Sequence, residues 1–195
     1  MFYIVLNINY KLTFKDFVKF NFDNNKPLFY LNKSLYFGKF TTTMNLTTRN
    51  INIFLLFKLP SAFICGVRAK QLEAAKCVVS VKHRWINQNP FNSMYFAVQA
   101  MAAELSTGAL VMYQIKKSNR KISMLVANNK ANFTKKATGR ITFTCNDGAI
   151  IENAIKQTIA SGEGQTFWMK SIGIDENGIQ VSEMDFEWSV KLKSV

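Results

Sequence analysis

Histidine is almost absent: His83 is the only one in 195 residues. A cluster of histidine metal ligands is therefore excluded, no metal site is expected, and chemistry that needs an imidazole has a single candidate. Cysteine is scarce as well. Cys65, Cys77 and Cys145 are odd in number, far apart and without a C-x-x-C, so neither a zinc site nor a disulfide framework is indicated. Reduced thiols in a cytoplasmic protein are the simplest expectation. Glycines are few, at nine, and form no phosphate-binding loop. Acidic residues number only 12 against 25 Lys and Arg, a formal net charge of +13. Such a surplus invites a nucleic-acid reading. Yet no basic run is longer than a pair, as in Lys116-Lys117 and Lys135-Lys136. Without a tight basic stripe or a known motif, no nucleic-acid partner is expected.

What is present is a globular composition, 48% hydrophobic and 19% charged, in a chain long enough for one well-cored domain. Residues 1–43 differ from the rest. They hold 8 of 17 Phe and 4 of 6 Tyr but no Ala or Glu. Phe, Tyr, Asn, Lys and Ile are residues of AT-rich codons. The expectation is a spurious in-frame extension before Met44 or a weakly ordered arm, giving an N-terminal extension over 1–45 and a domain over 46–195. The opening Met1-Phe2-Tyr3-Ile4-Val5-Leu6 lacks the basic flank and cleavage site of a signal peptide.

Ile51 to Val67 reads as a lead-in helix broken near Pro60, and Cys77 to Val81 as a strand ending near Arg84. An Asn-rich loop runs from Trp85 to Asn92. Ser93 to Tyr113 is the most informative stretch. Ala97, Ala100, Ala102, Ala103, Gly108 and Ala109 make it helical and slim, with Ser93 as its N-cap. Apolar residues on every side predict near-complete burial. The run has membrane-spanning length, but Gln99, Glu104, Ser106 and Thr107 lie in its middle. A central carboxylate alone costs on the order of 3 kcal/mol in a bilayer, so no membrane span is expected. Strands are predicted over Ile122–Phe133, Arg140–Cys145 and Phe167–Ile174, with a helix over Ala149–Ala160. A last strand has Met184, Phe186, Trp188 and Val190 on one face. Trp168 and Trp188 are expected in the core, and His83 at the surface. Alternating βαβ units are missing, which argues against a Rossmann-type or P-loop fold. One slim helix followed by antiparallel strands predicts an α+β domain whose sheet wraps the helix.

The stretch Asn89-Pro90-Phe91-Asn92-Ser93, the Ala-rich helix with Glu104, and Asn132 to Arg140 together resemble the hotdog-fold acyl-CoA thioesterase superfamily. The likeness covers residues 46–192 and is strongest to a thioesterase-like branch known only as a domain of unknown function. In the phenylacetate-pathway type, an Asn precedes the helix, a His-Gly-Gly opens it, and an acid follows the Asn by 15 positions. Glu104 lies 15 positions after Asn89. Tyr95-Phe96-Ala97 stand where the His-Gly-Gly would be, and Lys135 stands where some members have a Ser.

The resemblance implies Glu104 and Asn89 as catalytic candidates. Ser93, Met94, Tyr95, Phe96 and Lys135 become candidates for substrate binding. Helix N-terminal amides would polarise the thioester carbonyl, and Glu104 would act as base or nucleophile. Lys116, Lys117, Arg120, Lys135, Lys136 and Arg140 are candidates for the phosphates of coenzyme A, which enters as part of the substrate; no separate cofactor is expected. Ser93 and Glu104 are roughly 16 Å apart along a helix, too far for one thioester to touch both. A homodimer, or a dimer of dimers, with sites shared between copies is the expectation. A non-catalytic acyl-thioester-binding module on the same fold is the alternative.

Overall fold

The computed structural model describes residues 46–193, so the expectation for residues 1–45 lies outside the described residues. Two short helices open the described chain. Thr47 caps α1 (Thr48–Lys58), its Oγ1 accepting the Asn50 N–H at 3.3 Å. The break falls at Pro60, the first residue of α2 (Pro60–Ile64), where a missing N–H costs no helical hydrogen bond. Strand β1 (Arg68–Leu72) follows. It escapes the pattern reading because Arg68-Ala69-Lys70-Gln71-Leu72 is short, charged and poor in β-branched residues. Next come β2 (Cys77–Lys82), a 3-10 turn over Trp85–Asn87, and the long helix α3 (Phe96–Lys117). After it stand β3 (Ile122–Phe133), β4 (Arg140–Cys145), α4 (Gly148–Ser161), β5 (Gln165–Ile174) and β6 (Gln180–Leu192).

The strands form one antiparallel sheet in the order β1-β2-β4-β5-β6-β3. Helix α3 packs on β1, β2, β4, β5 and β6. The inner face carries Val79, Val81, Ile141, Phe143, Met169, Met184, Phe186, Trp188 and Val190, all buried. The alternation expected for the last strand is therefore the real one.

Small residues let α3 lie close to the sheet: Ala102, Ala103, Ser106, Gly108 and Ala109 are all buried. Polar side chains fix its position. The Ser106 and Ser171 hydroxyls meet at 2.7 Å. Gln99 accepts from Ser182 at 3.1 Å, and Gln114 donates to the Ala74 carbonyl at 2.8 Å. The Trp188 indole N–H donates to Thr107 Oγ1 at 3.0 Å. Buried polar groups so paired are cheap to bury and hard to move.

Three local expectations are corrected. The helix does not start at Ser93. Its N-cap is Tyr95, with no side-chain cap, because the Ser93 hydroxyl is held by Asn89 instead. Trp168 is outside the core, half-buried on the outer face, with the Lys130 ammonium 4.6 Å from its ring centroid. His83 is half-buried rather than a plain surface residue, and its buried Nε2 has no hydrogen-bond partner among the described residues. Cys77 and Cys145, far apart in sequence, face each other across β2 and β4. Burial pushes both thiols up to about 12, which keeps them unreactive at neutral pH.

Helix α4 starts against the β1–β2 connection, and Gly148 permits it. A Cβ at this position would run into the Ala74 carbonyl and Ala75. Gly148→Ala should therefore destabilise the fold by about 2 kcal/mol, although alanine is the better helix former. Thermal melting checks this; an unchanged or raised melting temperature contradicts the close approach.

Candidate active site

Glu104 sits in the middle of α3, where the helix leaves the sheet's inner face toward β3. The carboxylate opens on a groove of about 410 Å³. Phe54, Leu59, Leu105, Met112, Met124, Leu125, Val126 and Trp188 supply its apolar walls, and among the described residues Glu104 is the one ionisable group that lines it. Gly108 lies one turn further on the same helical face. A Cβ there would stand 3.2 Å from Glu104 Oε1 and 3.1 Å from the Trp188 ring. The bare glycine thus lets the indole and the carboxylate lie side by side.

Among the described residues, no side chain forms a hydrogen bond or ion pair with the Glu104 carboxylate. Burial without a partner penalises the charged form and pushes its pKa from 4.5 up to about 6. A carboxyl in that range exchanges protons near neutrality, which suits a general base.

The other expected site residues lie around the start of α3. Asn89 is held by its own loop. Its Oδ1 accepts from the Phe91 N–H at 2.9 Å and the Ser93 N–H at 3.3 Å, and its Nδ2 donates to Ser93 Oγ at 3.0 Å. The Met94 N–H goes to the Ala137 carbonyl and the Tyr95 N–H to the Asn87 carbonyl. Those amides are spent, so the free donors of the first turn are the Phe96 and Ala97 N–H groups. Phe91, Tyr95, Phe96 and Phe133 are exposed there. Phe96 packs edge-on against Tyr95 at 4.9 Å and Phe133 at 6.3 Å between centroids. Lys135 pairs with Asp175 at 3.7 Å.

Phe96 and Glu104 are eight residues apart, about 12 Å along the helix. Within one chain the free amides and the carboxylate do not meet. Among the described residues no three His, Cys, Asp or Glu side chains gather into a metal-binding group. No helix among them is long and apolar enough to cross a membrane.

A family model described as a domain of unknown function, DUF4442, matches residues 47–190. The chain belongs to that family. No protein of curated function matches its sequence. Solved structures do match its fold. A Pseudomonas aeruginosa protein of unknown function, named as a probable thioesterase, is 22% identical with a TM-score of 0.68, over 78% of this chain and 100% of that one. A variant of a Staphylococcus aureus thioesterase enzyme is 14% identical, TM-score 0.53, over 68% of this chain and 98% of its own. A Haemophilus influenzae thioesterase is 11% identical, TM-score 0.58, over 77% of this chain and 93% of its own. The shared architecture is the hotdog fold, a long central helix on a curved antiparallel sheet.

In this hotdog domain the apolar lining of the Glu104 groove went unread in the sequence. Two signals bear on it. Gly108 follows Glu104 by one helical turn, and Met124-Leu125-Val126 interrupts the alternation of β3. Trp188 is both core, as expected, and groove wall.

The raised pKa has a consequence for stability. Between pH 4.5 and about 6 the folded chain holds a proton on Glu104 that the unfolded chain has lost. Stability therefore falls as pH rises through this window, by about 2 kcal/mol in all. Glu104→Gln should melt higher than wild type by about 5 °C at alkaline pH, and at the same temperature at acid pH where both side chains are neutral. Equal melting at both pH values contradicts a buried, unpartnered carboxylate.

Proposed function

We propose that this DUF4442 hotdog protein is an acyl-thioester hydrolase acting on acyl-CoA, working as a homodimer. The observation that supports it is Glu104, a carboxylate with a raised pKa at the wall of an apolar groove, on a fold shared with thioesterases. The groove takes the acyl chain. The thioester carbon comes to Glu104, which either takes a proton from water as that water attacks, or attacks directly to give an anhydride that water then opens. In each case the acyl–sulfur bond breaks and the thiol leaves with a proton. The carbonyl oxygen needs donors, and the Phe96 and Ala97 N–H groups at the positive end of α3 are the suitable ones. Since about 12 Å separates them from Glu104 in one chain, the donors come from a second copy. The free edge of β3 and the exposed aromatic cluster at Phe91, Tyr95, Phe96 and Phe133 are where that copy docks.

One observation favours the second reading, a binder without turnover. The Asn89 amide is held by its own loop, its Oδ1 taken up by Phe91 and Ser93 and one Nδ2 N–H by Ser93 Oγ, so a single N–H is left for water or a carbonyl. Thiol release from a panel of acyl-CoA chain lengths separates the two. Hydrolysis should rise as pH passes about 6 and level off above it, because the deprotonated Glu104 is required. Glu104→Gln should lower turnover about a hundredfold or more while leaving acyl-CoA binding in place. Equal, negligible turnover by wild type and variant across all chain lengths leaves only the binder.

Sharing of the site has its own test. Ala97→Pro removes one N–H donor at a position where a helix tolerates proline. Mixing inactive Glu104→Gln with inactive Ala97→Pro should restore about a quarter of wild-type activity, since half the dimers are mixed and each has one intact site. No recovery after subunit exchange would show that the site lies within one chain.

A further inference from the structure

The outer face of the sheet, opposite α3, carries a second concave feature. It holds about 250 Å³ and is lined by Gly66, Arg68, Lys70, Ser80, Lys82, Arg84 and Arg140. Among the described residues five cations line it and no acid does. None of the five makes an ion pair among the described residues.

The geometry points to a binding site for a phosphoryl group, a doubly charged phosphate ester or pyrophosphate, between β1, β2 and β4 on the outer face of the sheet.

Register brings these residues together. Arg68 lies opposite Ser80, and Lys82 lies opposite Arg140, across adjacent strands. Like charges directly opposite on one face destabilise a sheet unless an anion lies between them. Val79 and Val81 point inward, so the alternation of β2 sends Ser80 and Lys82 outward. Ser80 is the telling residue. It is only 3% exposed, it lines the pocket, and among the described residues its hydroxyl has no hydrogen-bond partner. A hydroxyl so placed is costly unless something occupies the pocket to receive its proton. A phosphate oxygen is an acceptor of the right kind, amid cations that neutralise it.

Arg68 is held in place rather than free. Its Nη1 donates to the Phe63 and Val67 carbonyls at 2.8 and 2.7 Å, and the guanidinium stacks 3.6 Å over the Phe63 ring. Its Nε and Nη2 donors remain. The Arg84 guanidinium lies against Gly66, whose φ of +90° and missing side chain make room for it. Arg68 titrates below its ordinary value, from burial first and the neighbouring Arg84 charge second, as expected of crowded cations without a counterion. The small volume and the dedicated hydroxyl suit a compact phosphoryl group better than the broad groove a polymer requires.

This site is separate from the Glu104 groove and does not rest on thioester hydrolysis. The experiment is calorimetric titration of the full chain with inorganic pyrophosphate and inorganic phosphate at constant ionic strength. Single-site binding is expected, pyrophosphate tighter than phosphate, weakening as salt rises. Lys82→Ala/Arg140→Ala, both exposed, should weaken pyrophosphate binding more than tenfold, and Ser80→Ala about tenfold. Lys156→Ala, on α4 and outside the lining of the pocket, should leave it unchanged. Pyrophosphate should also raise the melting temperature of wild type but not of Lys82→Ala/Arg140→Ala, which keeps the test valid if Ser80→Ala folds poorly. No binding by wild type, equal binding by the Lys82/Arg140 variant, or binding only to RNA or anionic vesicles and not to pyrophosphate overturns the assignment.

Discussion

How closely α3 can approach the sheet governs the rest of this structure. A helix with ordinary side chains on its inner face would stand off by a full side-chain layer. Here Ala102, Ala103, Ser106 and Ala109 reduce that layer, and the hydroxyl pair Ser106–Ser171 sets helix to strand at 2.7 Å. Close-packed interiors transmit small changes, so the side chains on either flank of α3 inherit their positions from this contact. Glu104 is one of them. It lies on the flank where the sheet ends, too near the core to be well solvated and too near the edge to be sealed. That intermediate burial raises its pKa without removing it from chemistry. Trp188 completes the arrangement. Its indole is fixed by Thr107 Oγ1 and rests on Gly108, which leaves its ring as a wall beside the carboxylate.

The two faces of the sheet show opposite electrostatics. The groove on the inner side has one carboxylate and no cation among its lining, while the pocket on the outer side has five cations and no carboxylate. Neither imbalance is neutralised within the described residues. A concave site lined by one sign of charge focuses its field and draws ions of the opposite sign. Two opposite imbalances on one domain correspond to two tasks of different sign. On the proposed reading, the inner one keeps its charge suppressed until hydrolysis needs it. The outer one prefers its charge met by an anion.

Much of the architecture was legible because it rests on period. Alternation in Met184, Phe186, Trp188 and Val190, the break at Pro60 and the small-residue helix all fold as their patterns predict. Glu104 was singled out for a different reason, a resemblance that places an acid 15 positions after Asn89. What was not legible depends on register between distant strands. Arg68, Ser80 and Arg140 are far apart in sequence and share no motif, and only pairing of β1 with β2 and β2 with β4 assembles them. The same limit hid the Cys77–Cys145 juxtaposition. Ser93 failed as an N-cap for a competing reason. Asn89 claims its hydroxyl, and a loop hydrogen bond wins over a cap when the Asn is already ordered by Phe91 and Ser93 amides.

Strand β3 and the start of α3 present the same kind of problem, backbone groups without partners. Among the described residues β3 pairs only with β6, so its outer edge of twelve residues is open there. Such edges are normally blunted. The bulge between Val126 and Asn128, with Asn128, Asn129, Lys130 and Asn132 beyond it, blunts one half. The half with Met124, Leu125 and Val126 is not blunted, and Leu125 is 67% exposed. That half borders the Glu104 groove. The other half ends at Phe133, against which Phe96 packs, so the free amides of α3 travel with it. A two-fold axis that pairs two β3 edges antiparallel lays the near half of one strand along the far half of the other. It thereby carries each copy's free helix amides toward the other copy's carboxylate. The proposed dimer satisfies the open edge and the divided site by one operation, and neither a monomer nor a head-to-tail assembly does both.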